Sequence, residues 1–218
     1  MTVVYAAHYK DRFGEEATSI KNDGQTLEIV IRGSVFRGRS FDDLETATEL
    51  GPHSEFSMAN GSLHNYVLQA EIPVLVSTSN EISKAILKVH TAFGSLSDTL
   101  PAECAWAQLR LELLVDGQGY SSRGGSEMFE GELLDIQTQL PANTHIKTCF
   151  TCAFSDYSPY GNPSFGGLAC FRDNKSGYRS IKTKGDLFAI WNTNSGSVQE
   201  IHLCPEYELR PTNTGYRG

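Results

Sequence analysis

The sequence predicts a mainly-β, α+β protein: an antiparallel β-sandwich or open barrel over residues 1–140, and a loop-rich module with short helices over residues 141–218. Three observations carry this. Short runs of alternating apolar and polar residues recur through the first part, separated by turn formers. Eleven of the 22 aromatic residues and five of the eight prolines fall in the last 78 residues. Three of the five cysteines lie between residues 149 and 170, in CFTCAFSDYSPYGNPSFGGLAC.

Taken in order, TLEIVIRGSVF places Leu27, Ile29 and Ile31 on one face of a strand and Glu28, Val30 and Arg32 on the other. HNYVLQAEIPVLVST, AILKVHTAF, AQLRLELLVDG and EGELLDIQTQL read as further strands. NDGQ, ANGS, VDGQG and RGGS between these runs supply glycine beside Asn, Asp or Ser, the composition of tight hairpin turns. FDDLETATEL reads as a helix, because its early carboxylates suit a helix N-terminus. In the second part GDLFAIWN and VQEIHLCPEYELR read as short helices, the latter interrupted by Pro205. The connecting QTQLPANTHIK is short enough for the two parts to share one core.

A chain of 218 residues can bury a sizeable core without a covalent or metal staple. The opening MTVVYAAHYKDRFGEE has no secretory pattern, and no apolar run reaches the length of a membrane span. The expectation is a soluble cytoplasmic protein with reduced thiols. The net charge is −8. Residues 1–140 hold 10 Lys/Arg against 20 Asp/Glu, and residues 141–218 hold 8 against 6, giving −10 and +2. An acidic body repels phosphate, which makes nucleic acid an unlikely partner and favours a basic protein surface, although charge of this kind also serves solubility.

Cys149 and Cys152 form a C-x-x-C pair, with Cys170 and Cys204 following singly. Zinc takes four soft ligands in a tetrahedron; a C-x-x-C turn supplies two, and isolated cysteines on other segments can supply the rest. The expectation is a structural zinc site at Cys149, Cys152, Cys170 and Cys204, making the second part a zinc-binding module. His202 is an alternative to Cys204. Buried reduced thiols and a redox or disulfide pair are the competing readings, the latter without the strand-then-helix setting of a thioredoxin motif. Four protein ligands leave no position for an activated water, so the metal would hold the fold rather than catalyse. Cys104, in PAECAWAQL, reads as a core residue. Asp156, Tyr157, Tyr160 and Arg172 could form a recognition surface, but rings here more readily cover the metal loops.

The six histidines show no metalloenzyme spacing, and no nucleophile elbow or phosphate-binding loop occurs. Acidic residues cluster in DDLETATE (Asp42, Asp43, Glu45, Glu49) and EMFEGELLD (Glu127, Glu130, Glu132, Asp135). Such clusters are usually solvated faces. Asp42, Asp43, Glu45, Glu130 and Glu132 are the expected partner contacts, on charge alone.

CFTCAFSDYSPYGN, FGGLACFR, YRSIKTKGDLFAIW, VQEIHLCPEYELR and GYRG together resemble the C-terminal signature of an uncharacterised bacterial family, a domain of unknown function. Over the first 140 residues the resemblance extends to the opening, to the strand pair around NDGQTLEIVIRG and to FDDLE. It implies a stand-alone cytoplasmic protein without assigned enzyme activity. Some relatives accompany polymorphic toxin genes as candidate immunity proteins. The expected function is therefore a binding protein, an immunity protein that occludes a basic toxin domain. A hydrolase with a site between body and module is the alternative, and a zinc-ribbon nucleic-acid adaptor ranks third.

Overall fold

The computed structural model describes residues 2–48, 50–51, 55–79, 81–94 and 107–216. Cys104 and Glu49 lie outside the described residues. The chain opens with a hairpin, β1 (Val3–Asp11) and β2 (Gly14–Asn22), and continues through β3 (Leu27–Ile31), β4 (Ser34–Gly38) and the short strands β5 (Glu45–Thr46), β6 (Met58–Ala59) and β7 (Ser62–Leu63). Two long strands follow, β8 (Tyr66–Ser77) and β9 (Ile82–Phe93), then β10 (Ala107–Val115), β11 (Gln118–Ser121), helix α1 (Phe129–Gln139) and β12 (His145–Ile146).

These strands make one antiparallel sheet of twelve among the described residues, in the order β11-β10-β9-β8-β1-β2-β3-β4-β5-β7-β6, with β12 also on β8. The mainly-β, antiparallel class holds. The sheet stays open rather than closing into a barrel, since β11 and β6 end the path without pairing. Three hairpins turn on paired positive-φ residues, Arg32-Gly33, Asn60-Gly61 and Asp116-Gly117, the mirror-image turn that matches strand twist.

Register places the core on one face. Tyr5, Ile20, Ile29 and Phe36 lie opposite one another across β1 to β4, all buried, and Ala70, Val89 and Leu111 do the same across β8 to β10. The other face carries rows such as Ala17, His8, Gln69, His90 and Arg110.

Two segments differ from their expected structure. EGELLDIQTQL is not a strand but the body of α1: Phe129, Leu133, Ile136 and Leu140 are spaced by four, three and four, and all four are buried. FDDLETATEL is not a helix. The Asp43 carboxylate accepts the Arg39 and Ser40 N–H groups at 3.2 and 2.7 Å, which fixes a turn that drops Phe41 and Leu44 into the core. Phe41 then stacks on Phe129 at 5.8 Å, and both meet Phe165, at 4.9 and 4.7 Å, so the second part of the chain reaches into the body's core. Phe150 and Ile201 do likewise.

Beyond β12 come β13 (Ser155–Tyr157), β14 (Leu168–Cys170), α2 (Lys175–Arg179), α3 (Lys184–Ala189) and β15 (Ser197–Val198). β13, β14 and β15 form a separate three-stranded sheet. GDLFAIWN yields the expected short helix, started by a Thr183/Asp186 capping box. VQEIHLCPEYELR forms none; its backbone instead hydrogen-bonds residues 149–153, as described below. Among the described residues no helix is long and apolar enough to cross a membrane.

Candidate metal centre

The Cys149–Cys152 segment is a single turn of 3-10 helix, with the Cys152 N–H donating to the Cys149 carbonyl at 3.2 Å. Its outer amides are taken by the segment that leads to Cys204. Cys149 donates to the His202 carbonyl and Phe150 to the Glu200 carbonyl, both at 3.0 Å. On the other side Ala153 donates to the Glu208 carbonyl at 2.7 Å and Arg210 to the Thr151 carbonyl at 3.0 Å, with a bridge between Cys152 and Leu209. Residues 200–210 therefore wrap the C-x-x-C turn, and Cys204 sits in the bend between the two straps, where Tyr207 N–H returns to the Cys204 carbonyl at 3.2 Å.

Cys170 arrives from the small sheet. It pairs with Ser155, whose hydroxyl reaches the Cys149 carbonyl at 2.6 Å. Cys149 and Cys170 pack in one cluster with Tyr157, Leu168 and Val198, and Cys204 rests against it. Cys152 lies in the adjoining cluster around Phe154, Phe171 and Tyr178. All four are free thiols. The His202 side chain lies on the body side near Gly24 and lines a cleft with Val3 and Tyr5, so Cys204 is the better fourth donor.

The four sulfurs are near enough to feel one another. Burial pushes the Cys149 thiol well up, and the neighbouring Cys152, Cys204 and Cys170 add to it. Cys170 is also raised by burial, against the backbone N–H of Arg172, which donates to its sulfur. An amide aimed at a cysteine sulfur two residues earlier serves a thiolate better than a thiol. Thr148 Oγ1 and Ser195 Oγ, flanking Cys149 and hydrogen-bonded by backbone to Cys170, are buried hydroxyls without a partner. Four thiols, one of them accepting an amide N–H, are the donor type a soft cation takes. Among the described residues no group of three or more His, Cys, Asp and Glu side chains already stands in the arrangement a metal requires.

Side chains that the sequence did not single out hold this region together. Arg210 donates to the carbonyls of Cys152 and Thr214 at 2.9 and 2.8 Å, to that of Ser155, and to Tyr178 Oη at 3.0 Å. Tyr178 passes the chain on to the buried Asp156 carboxylate at 2.9 Å, which also accepts from the Tyr157 and Tyr216 N–H groups. Glu200, fully buried, accepts from Gly166 N–H at 2.7 Å and Tyr157 Oη at 3.1 Å. Asp156 and Tyr157 are thus interior groups, whereas Tyr160 is exposed and lies on Phe188.

The expected partner contacts divide by role. Asp42 and Glu45 are exposed, Asp42 accepting the Ser164 hydroxyl at 2.9 Å. Asp43 holds its turn, and Glu130 lines a groove between α1 and residues 150–210 with His145 and Arg210. Glu132 cannot meet a partner: it is 2% exposed, and its oxygens accept the Gly124 and Ser126 N–H groups at 2.9 and 2.7 Å.

No curated protein and no solved structure matches the chain. A family model matches residues 3–155, which takes in the main sheet, α1 and the first two thiols but neither Cys170 nor Cys204. That model describes a family of unknown function, DUF6304, and the chain belongs to it.

Proposed function

We propose that the protein is a non-catalytic binding protein whose C-terminal module is organised by one structural zinc on Cys149, Cys152, Cys170 and Cys204. On this reading it acts in the bacterial cytoplasm as an immunity protein, occluding a basic toxin domain with an acidic surface that includes Asp42 and Glu45. The observation that supports it is the gathering of four thiols from three separate segments, wrapped by residues 200–210. Four sulfur ligands fill a tetrahedral zinc, so the metal would rigidify the module without offering an open position. Zinc would bind the four sulfurs as thiolates, leaving the set at −2. Occlusion needs rigid complementary surface and opposite charge, not a reactive residue.

The alternative, a hydrolase between body and module, would draw on Glu130 and His145, which share the groove beside α1. The hydroxyl nearest to hand, Thr151, is already bonded to the Ile146 carbonyl and to Tyr207 Oη at 2.9 Å, which weighs against its use as a nucleophile. Native mass spectrometry with thiol counting should find one zinc per chain and four protected thiols. Capture with the product of the neighbouring gene at low salt should give a complex that weakens as salt rises. A metal-free protein with reactive thiols would remove the zinc assignment, and failure to form that complex would remove the immunity reading.

A further inference from the structure

The segment that wraps the thiols has a second side, which faces the main sheet. β1 pairs with β8 only as far as Ala6 opposite Glu71, and β12 takes over at Val76. Pro73 falls in the gap, where a residue without an N–H leaves no donor unpaired on that edge. Residues 199–203 run across the opening and close a cleft of about 270 Å³. Val3, Ile72, Pro73 and Ile201 give it apolar walls, and Tyr5, Asn22 and Gln199 form its polar end.

The polar end has a fixed polarity. Gly24 N–H donates to Asn22 Oδ1 at 2.8 Å, so Asn22 must present its Nδ2 to the other two groups. It donates to Tyr5 Oη and, at 2.6 Å, to Gln199 Oε1. Both Nδ2 protons are then engaged, and both receiving oxygens act as acceptors. Two donors are left over: the Tyr5 hydroxyl proton and the Gln199 Nε2 pair. Gln199 is 2% exposed and its Nε2 has no partner. Tyr5 stays protonated at neutral pH, since burial, opposed by the bond from Asn22, pushes it up to about 12. Buried donors without acceptors are rare in folded proteins and mark places where something else binds.

We propose that this cleft binds a small neutral molecule with an apolar body and a carbonyl oxygen, the oxygen accepting from Gln199 Nε2 and Tyr5 Oη. Neutrality follows from the lining: no Lys or Arg faces the cleft among the described residues and its one imidazole, His202, is no fixed cation, so a carboxylate would lose its water without gaining a permanent positive partner. Size follows from the volume, since a cavity of about 150 Å³ takes benzene and this one has room for a ring with a carbonyl substituent. The inference stands apart from the zinc and immunity readings.

The test uses the full chain, isotopically labelled for amide NMR, with acetophenone, benzoate and benzene as probes of one shape and different chemistry. Acetophenone should shift the Gln199 side-chain amide and the Gly24 and His202 backbone signals saturably at millimolar concentration. Benzoate and benzene should bind at least tenfold more weakly. Tyr5→Phe and Gln199→Leu should each weaken acetophenone fivefold or more, and Tyr5→Phe, which removes a single oxygen, serves if Gln199→Leu does not fold. No saturable shift means a cleft filled by water only and overturns the proposal. Benzene binding as well as acetophenone, benzoate binding better, or affinity unchanged in both variants would each overturn it too.

Discussion

From Val3 to Val115 the described chain satisfies its amides largely strand to strand, with strands up to twelve residues long; from Cys149 onward the longest regular element is the six residues of α3. In the first region order is distributed over many equivalent backbone bonds and one continuous apolar face. In the second it is concentrated in a few side chains: Arg210, Asp156 and Glu200 each hold several partners. Damage to the first should therefore be graded, and damage to the second abrupt.

The largest expected effect is at the thiols. On the zinc proposal, Cys149→Ser or treatment with a chelator should cost more than about 4 kcal/mol, because a structural metal's binding energy is folding energy. Amide exchange should show residues 149–210 opening while β8 and β9 stay protected; loss of metal with unchanged melting would contradict this. Next comes Arg210→Ala, which strips bonds from three carbonyls and Tyr178 and should cost about 3 kcal/mol. The body's counterpart is Arg32→Ala. Arg32 holds the buried Asp11 with two bonds of 2.9 and 2.6 Å, and stranding that carboxylate should cost about as much, about 3 kcal/mol. Denaturant unfolding of both variants compares them directly, and exchange tells whether the loss is local or spread.

Acid should move the two regions in opposite directions. Burial would raise Asp11, but the Arg32 bonds, the Phe13 N–H, the Arg32 charge and the Tyr9 hydroxyl together hold it below the usual carboxylate range. Its contribution is present above the unfolded value near ~4 and is lost as pH falls through its lowered folded value. Glu200 is the reverse, raised by burial in spite of its donors from Gly166, Gly167 and Tyr157. Its folded form holds the proton more tightly, so stability is gained as pH falls from that raised value towards the unfolded one. Unfolding free energy measured from neutral to mildly acidic pH should therefore rise less in Glu200→Gln than in the parent; parallel curves would show that Glu200 does not titrate as described.

The smallest contrast uses one substitution twice. Gly61 has φ +90° and nothing within 4 Å of an added Cβ, so Gly61→Ala should cost about 1 kcal/mol of backbone strain. At Gly215, φ is +76° and the new carbon would meet the Tyr178 hydroxyl and Arg210 Nη1. Gly215→Ala should lower the melting temperature clearly further, and equal losses would mean that the network yields.

The legible part of the fold was the part with period two. β3, β8, β9 and β10 alternate cleanly, and the turn from β10 to β11 carries the expected Asp116-Gly117. The first hairpin was less legible because β2 buries only Ile20 and Asn22. α1 hid because its first apolar contact, Phe129, precedes the segment that reads as a strand. At the candidate centre cysteine spacing pointed to four thiols that the fold brings into two neighbouring clusters, without setting three or more of them in a metal-holding arrangement among the described residues. It could not reveal Arg210, Asp156 or Glu200, since a single charged residue in a loop has no pattern until distant segments meet it. Tyr5, Asn22 and Gln199 are invisible for the same reason, Asn22 and Gln199 being 177 residues apart.

That separation in sequence also sets an order in time. The carbonyl of Cys152 waits for Arg210, 58 residues later, and the Asp156 carboxylate for the Tyr216 amide, 60 residues later. At about 5–20 residues per second of synthesis, roughly 3–12 s pass between emergence of the first thiol pair and arrival of the residues that cover it. The main sheet can close meanwhile, but Cys149 and Cys152 stand open to oxidants and to stray metal ions throughout. The newborn chain, not the finished protein, is the form in which these thiols are vulnerable.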